Sequence, residues 1–283
     1  MIASALHDIF VDPSVAVPGA GELRVTRVGA RSVVTRARAA SPLKLLTPRN
    51  HGHAAWVFTS TYGGGLVDGD AMVLDVEIDE GASALISSQA STKVYRSPRG
   101  VSSVLHASVA PGGTLVVLPD PVVCFAESSY HQSQHFDLAG DASLLCLDWM
   151  TSGRRAHGER WVFDTYRTRL AIQVNGTAIC YDAVTLAAAD GALAERFDRF
   201  DVLATLAMTG PAFREPAERL VAAHAQRPIE RRPDTIAAAS PLADAGALVR
   251  IAGRTVEDVG RAIRGLLDFL PSVLGDDPWT RKW

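Results

Sequence analysis

Hydrophobic and polar positions alternate most cleanly over residues 71–79. Met72, Leu74, Val76 and Ile78 fall on one face, and Asp75, Glu77 and Asp79 on the other. A period of two marks a strand with one buried face, and Glu80-Gly81 supplies the turn that ends it. A related pattern recurs. Glu80-Gly81-Ala82-Ser83-Ala84-Leu85-Ile86, Pro111-Gly112-Gly113-Thr114-Leu115-Val116 and Ala139-Gly140-Asp141-Ala142-Ser143-Leu144-Leu145 each pair a glycine turn with a short apolar strand. Gly81, Gly112 and Gly140 are 31 and 28 residues apart. Val174-Asn175-Gly176-Thr177 reads as a degenerate fourth copy. Such a period predicts stacked β-layers, each covering the apolar face of the last; the alternative is an antiparallel sandwich with recurrent turns.

Helical spacing comes late. Phe213, Ala217, Leu220, Val221 and His224 predict a helix over 212–227, stopped by Arg227-Pro228. Residues 228–245 read as a surface loop. Gly246–Gly253 reads as a strand, and Thr255-Val256-Glu257-Asp258 as a capping-box start. Val259, Ile263, Leu266, Leu267 and Leu270 then form one stripe of a helix ending near 274. The expectation is one domain over 1–283. It is mainly β, within the α+β class: a β-helix-like stack of short strands over 20–210, with two appended α-helices and a strand from 247.

The 283 residues carry a net charge of −3, which argues against nucleic acid as a partner. No apolar run is long enough for a membrane span, and Met1–Asp8 lacks the pattern of a signal peptide. The expected compartment is the cytoplasm. Cys124, Cys146 and Cys180 form no C-x-x-C pair and read as small buried hydrophobes. The lysines are Lys44, Lys93 and Lys282, among 28 basic residues.

No catalytic signature emerges. Gly63-Gly64-Gly65 lacks the phosphate-loop and dinucleotide patterns and precedes a strand, so it reads as a backbone corner. There is neither a G-x-S-x-G elbow nor an H-E-x-x-H pair. His51 and His53 would share a face if extended, but Asn50-His51-Gly52 has turn composition. Asp68 and Asp70 bracket Gly69. Asp148 ends an apolar strand beside Trp149, Glu159 lies in a Gly-Arg-rich loop, and Asp182 follows Cys180-Tyr181. Carboxylates in apolar settings are either paired, here with the many arginines, or solvated in a passage where they offer weak oxygen ligands to a cation. A third reading makes Asp148 and Glu159 an acid–base pair.

Three clusters carry more information than any single residue. They are Ser41–Arg49 with Lys44, Gly63–Asp70 with Gly63, Gly64, Gly65 and Gly69, and Ser91–Ser97 with Lys93, Tyr95 and Arg96. In this order they resemble the D-type (also called H-type) urease accessory proteins. Leu118–Phe125 is similar to that family's proline-rich segment, with Cys124 where proline is usual. Leu147–Arg154 followed by Gly158-Glu159, and the end at Trp279–Trp283, also resemble it. The resemblance covers about residues 20–283. It implies a β-helical, non-enzymatic scaffold that binds apo-urease, an all-helical F-type accessory protein and a nickel-carrying G-type GTPase. It also implies transient nickel rather than a tightly bound cofactor, carried along a channel on which Asp70, Asp148 and Asp182 align. No dedicated metal site is expected.

Overall fold

The computed structural model describes residues 18–49, 51–226, 228, 230–242 and 246–280. The first residues and the end of the basic-aromatic tail, including Lys282, lie outside the described residues.

The chain opens with an antiparallel hairpin, β1 (Ala20–Val28) and β2 (Arg31–Ala39), followed by β3 (Leu43–Leu46) and β4 (Ala55–Thr61). It then winds in stacked turns: β5 (Ala71–Ile78), β6 (Ser83–Ser88) and β7 (Thr92–Val94), then β8 (Val101–Val109), β9 (Thr114–Leu118) and β10 (Val122–Cys124), then β11 (Ser129–Leu138) and β12 (Ser143–Thr151). After β13 (Thr165–Val174) and β14 (Thr177–Ala187) come α1 (Leu193–Phe197), β15 (Val202–Thr209) and α2 (Arg214–Ala225). The chain continues through β16 (Thr235–Leu242), β17 (Gly246–Gly253), α3 (Val256–Leu266) and α4 (Leu270–Leu274).

Two sheets face each other. One has the order β14-β13-β11-β8-β5-β1-β2, and the other runs β16-β17-β15-β12-β9-β6-β4-β3. The wound strands pair in parallel because each turn leaves one sheet, crosses the other and returns one step further along. Ala71 pairs with Ser102 and Val101 with Tyr130 in the first sheet. Ser83 pairs with Thr114, and Thr114 with Ser143, in the second. A short third ladder joins β7 to β10 and β10 to β12. Gly81 (φ +61°) and Gly112 (φ +64°) sit at successive copies of one corner, where Gly81 N–H donates to Pro111 O. A left-handed backbone there suits glycine.

The fourth copy of the repeat behaves differently. Asn175 (φ 49°) and Gly176 (φ 76°) form a two-residue turn, with Val174 paired to Thr177, so the chain reverses into an antiparallel hairpin. Two left-handed residues in succession match hairpin twist and end the winding.

Apolar side chains fill three regions. Leu23, Val76, Phe136, Ile172 and Leu144 pack between the sheets. Trp56, Leu145, Leu206, Phe213 and Ile263 pack between the ten-stranded sheet and the helices. A third group, including Leu66, Tyr130, Phe163 and Tyr166, closes one end. Leu144-Leu145-Cys146-Leu147 is buried without alternation because β12 is covered on both faces.

Three expectations are corrected. Residues 235–242, read as loop, form β16, which pairs along β17 and covers its edge. Their Ala-rich composition disguises the strand, and Pro241 is tolerated because β16 is itself an edge. The C-terminal helix is two helices, since Pro271 lacks an N–H and its ring crowds the preceding turn. The short helix α1 also carries no periodic signal in the sequence. At the start of α3, Thr255 caps as expected, accepting from Asp258 N–H at 3.1 Å.

Candidate functional site: a polar layer between the sheets

Inward positions of the seven-stranded sheet are apolar along most rows, but one row is not. Met72, Ser103, Gln132, Thr168 and Val184 stand in register across β5, β8, β11, β13 and β14. The next row holds Leu74, Leu105, Gln134, Leu170 and Asp182. Opposite them, Asp148, Thr205 and Arg250 share a row of the ten-stranded sheet. The two polar rows meet. Thr168 Oγ1 donates to Asp148 Oδ2 at 2.6 Å, and Tyr166 Oη donates to Oδ1 at 3.3 Å.

Two cavities abut here. One of about 310 Å³ lies among β12, β13, β14, β15, β16 and β17, and its wall includes the exposed Ile236. A second of about 120 Å³ extends toward Thr59, Ser88 and Thr92 and is lined by Ser103, Gln132 and Gln134. Asp148 and Trp149 line both. Trp149 is anchored by its indole N–H, which donates to Pro119 O at 2.8 Å.

Asp148 is partly exposed and lines both cavities. Burial pushes its pKa above the ordinary carboxylate value. Hydrogen bonds from Thr168, Gln132 and Tyr166 pull it back, and the Asp182 charge pushes it up again. Among the described residues no ion pair engages Asp148. Its surroundings offer carboxylate, hydroxyl and amide oxygens, a hard donor set that holds a transition-metal ion loosely. Among the described residues no group of three or more His, Cys, Asp and Glu side chains could hold a metal.

The other acidic candidates are placed differently. Asp182 lies close by but is paired with Arg250. Asp68 takes the backbone N–H of Arg99 at 2.7 Å and its Nε at 2.8 Å, and the guanidinium holds its carboxyl below the usual range. Asp70 caps its own turn, accepting from Val67 N–H at 2.8 Å. Glu159 is bound by Arg154, with Nε at 2.9 Å, which lowers its pKa, and also takes Ala126 N–H at 3.2 Å. Glu159 and Asp148 have no hydrogen-bond partner in common.

The sequence clusters converge on one corner region. Gly63 and Gly64 adopt φ of 77° and 74°, and Gly65 is extended against Lys93 and Tyr95. Leu66 bridges to Val94. Lys44 Nζ sits 5.8 Å from the centre of the Tyr62 ring. Tyr95 packs edge-on against Phe125 at 5.1 Å, and the Arg154 guanidinium lies 4.0 Å over that same ring. Arg96 pairs with Glu127. Gly69 has φ 87° beside the Arg99 guanidinium.

Sequence reasoning missed Gln132, Tyr166, Thr168 and Arg250. A signal for the first existed: in Tyr130–Leu138 the inward positions read Tyr, Gln, Gln, Phe, Leu, and two glutamines on a buried face mark a wet interior.

Comparison with known proteins gives a consistent result. The family model for the UreD urease accessory protein matches residues 17–283. A urease accessory protein UreD of Sorangium cellulosum is 53% identical, over 94% of this chain and 84% of its own length. One from Anaeromyxobacter is 42% identical over 93% of this chain and 89% of its own. Urease accessory protein D of Arabidopsis thaliana is 32% identical, over 92% and 99% respectively. No helix among the described residues is long and apolar enough to cross a membrane.

Proposed function

The chain belongs to the UreD urease accessory protein family and so has a role in urease maturation; we propose that it acts as a scaffold with a passage for nickel. It binds apo-urease together with the F-type accessory protein and the G-type GTPase. Nickel, its cargo, moves along the two abutting cavities past Asp148.

The observation that supports this most is the unpaired carboxylate of Asp148 where the two cavities meet. A carboxylate in an apolar setting is costly. This one is held by neutral hydroxyl donors, which leaves its charge available to a passing cation. Oxygen donors bind a divalent transition metal less tightly than imidazole or thiolate, and loose binding suits transit. The chemistry of GTP hydrolysis belongs to the partner.

The test is co-expression with a urease operon. Asp148→Ala is expected to leave the accessory complex intact in pulldowns while nickel per urease active site falls several-fold. Full nickel loading by that variant leaves a docking module that the metal never touches, a reading also consistent with the arginine pairing of Asp68, Asp182 and Glu159.

A further inference from the structure

The outer face of the seven-stranded sheet carries a second arrangement, independent of the cavities. Asp75 on β5, His106 on β8 and His135 on β11 occupy one register row across three adjacent parallel strands. The imidazole rings of His106 and His135 have their centres 5.2 Å apart, at 64° to each other. His106 Nδ1 lies 3.3 Å from Asp75 Oδ1, and both side chains are about half exposed, at 52% and 60%. Their neighbours on this face are Asp137, two residues along β11, and Arg169 on β13. Partial burial, then the facing His106 and the Arg169 charge, lower the His135 pKa, and Asp137 opposes them.

We propose that His106 and His135 form a surface chelate for a divalent late first-row transition ion, with Asp75 as the carboxylate behind His106. The distances fit. A metal about 2.0–2.1 Å from one nitrogen of each ring lies about 3.2 Å from each ring centre, so ligands at tetrahedral angles place the centres about 5.2 Å apart. Asp75 Oδ1, 3.3 Å from His106 Nδ1, places a carboxylate beside that nitrogen and leaves Nε2 for the metal, the usual arrangement behind a metal-bound histidine. Water completes the coordination from the solvent side. Two imidazoles favour nickel, copper or zinc over magnesium or calcium. The site differs in chemistry from the oxygen-lined cavities, and the sheet lies between them. Rigid, in-register strands hold the two backbones fixed, so only side-chain rotation is needed for binding.

The full-length chain is titrated with Ni²⁺ by calorimetry and with Cu²⁺ under electron paramagnetic resonance, where coupled ring nitrogens are counted. The expected result is one bound ion with two nitrogens. His106→Ala and His135→Ala each weaken binding at least tenfold and leave one nitrogen, while Asp75→Asn weakens it about tenfold by removing the carboxylate beside His106 Nδ1. His131→Ala is the control, because His131 lies on the same strand and face but between Ser102 and Arg167. All four positions are on the surface, and unchanged circular dichroism and melting confirm that each variant is folded. A two-nitrogen signal persisting in the His106→Ala/His135→Ala double variant overturns the proposal. So does equal loss in the His131 control.

Discussion

The hydroxyl of Thr168 on one sheet donates a 2.6 Å hydrogen bond to the carboxylate of Asp148 on the other, and this contact spans the interior where the two cavities meet. It is a neutral donor to a group that burial disfavours as an anion. Thr168 therefore stabilises the charged form of Asp148 without cancelling its charge, which an arginine at that place would do.

The pH dependence follows from that balance. The folded pKa of Asp148 lies above its ordinary value of 3.8. Between those two values the folded state binds more protons than the unfolded chain, so this residue's contribution to stability falls as pH rises through that window and is constant above it. Asp148→Asn removes the fall. Its urea midpoint relative to the wild type is expected to improve as pH increases from about 3.8. Thr168→Val shifts the Asp148 pKa further upward and extends the window; carboxylate infrared titration reads the change.

Arg250, which lines the larger cavity, is paired with Asp182, whose side chain is only 12% exposed against 58% for the arginine. Arg250→Ala leaves the carboxylate without its partner and is expected to cost about 1 kcal/mol, the exposed guanidinium being screened by solvent. The double variant Arg250→Ala/Asp182→Asn should lose less than the sum of the single losses in urea unfolding.

The glycine corner predicts an order of effects. A β-carbon on Gly65 would lie 2.6 Å from Tyr95 Cε2 and 2.8 Å from the Lys93 carbonyl, whereas one on Gly63 would meet nothing within 4 Å. Gly65→Ala is expected to destabilise by about 1–3 kcal/mol through overpacking. Gly63→Ala costs about 1 kcal/mol for its left-handed backbone alone. Denaturant midpoints and Tyr95 fluorescence distinguish the two.

The thiols provide a check on packing. Cys124, Cys146 and Cys180 are free and buried, and burial pushes the Cys124 thiol up to about 12. Since thiolate is the reactive form, none is expected to react with Ellman's reagent in the native protein at neutral pH, and three should react in denaturant.

Much of this architecture is written locally. The alternation from Met72 to Ile78 decides which face of β5 is buried, because a one-residue slip would expose every apolar side chain. The repeated Gly81 and Gly112 corners set the stacking step, since each places an apolar strand where the previous turn needs covering. The Thr255 cap starts α3 for reasons contained within four residues. Where local chemistry was ambiguous, only the fold decided. Asn175-Gly176 resembles the earlier corners in sequence but reverses the chain. The Ala-rich segment 235–242 is a strand because β17 offers it a ladder.

The acidic residues divide in the same way. Their identities and their proximity to apolar runs are visible in the chain, but what each carboxylate meets is not. Arg99 reaches Asp68 across 31 positions and Arg250 reaches Asp182 across 68. Asp148 is left facing Thr168 and two cavities. Sequence fixes period and turn chemistry, which act over a few residues. Pairing between distant side chains depends on the register of two sheets, and that exists only once the whole core has formed.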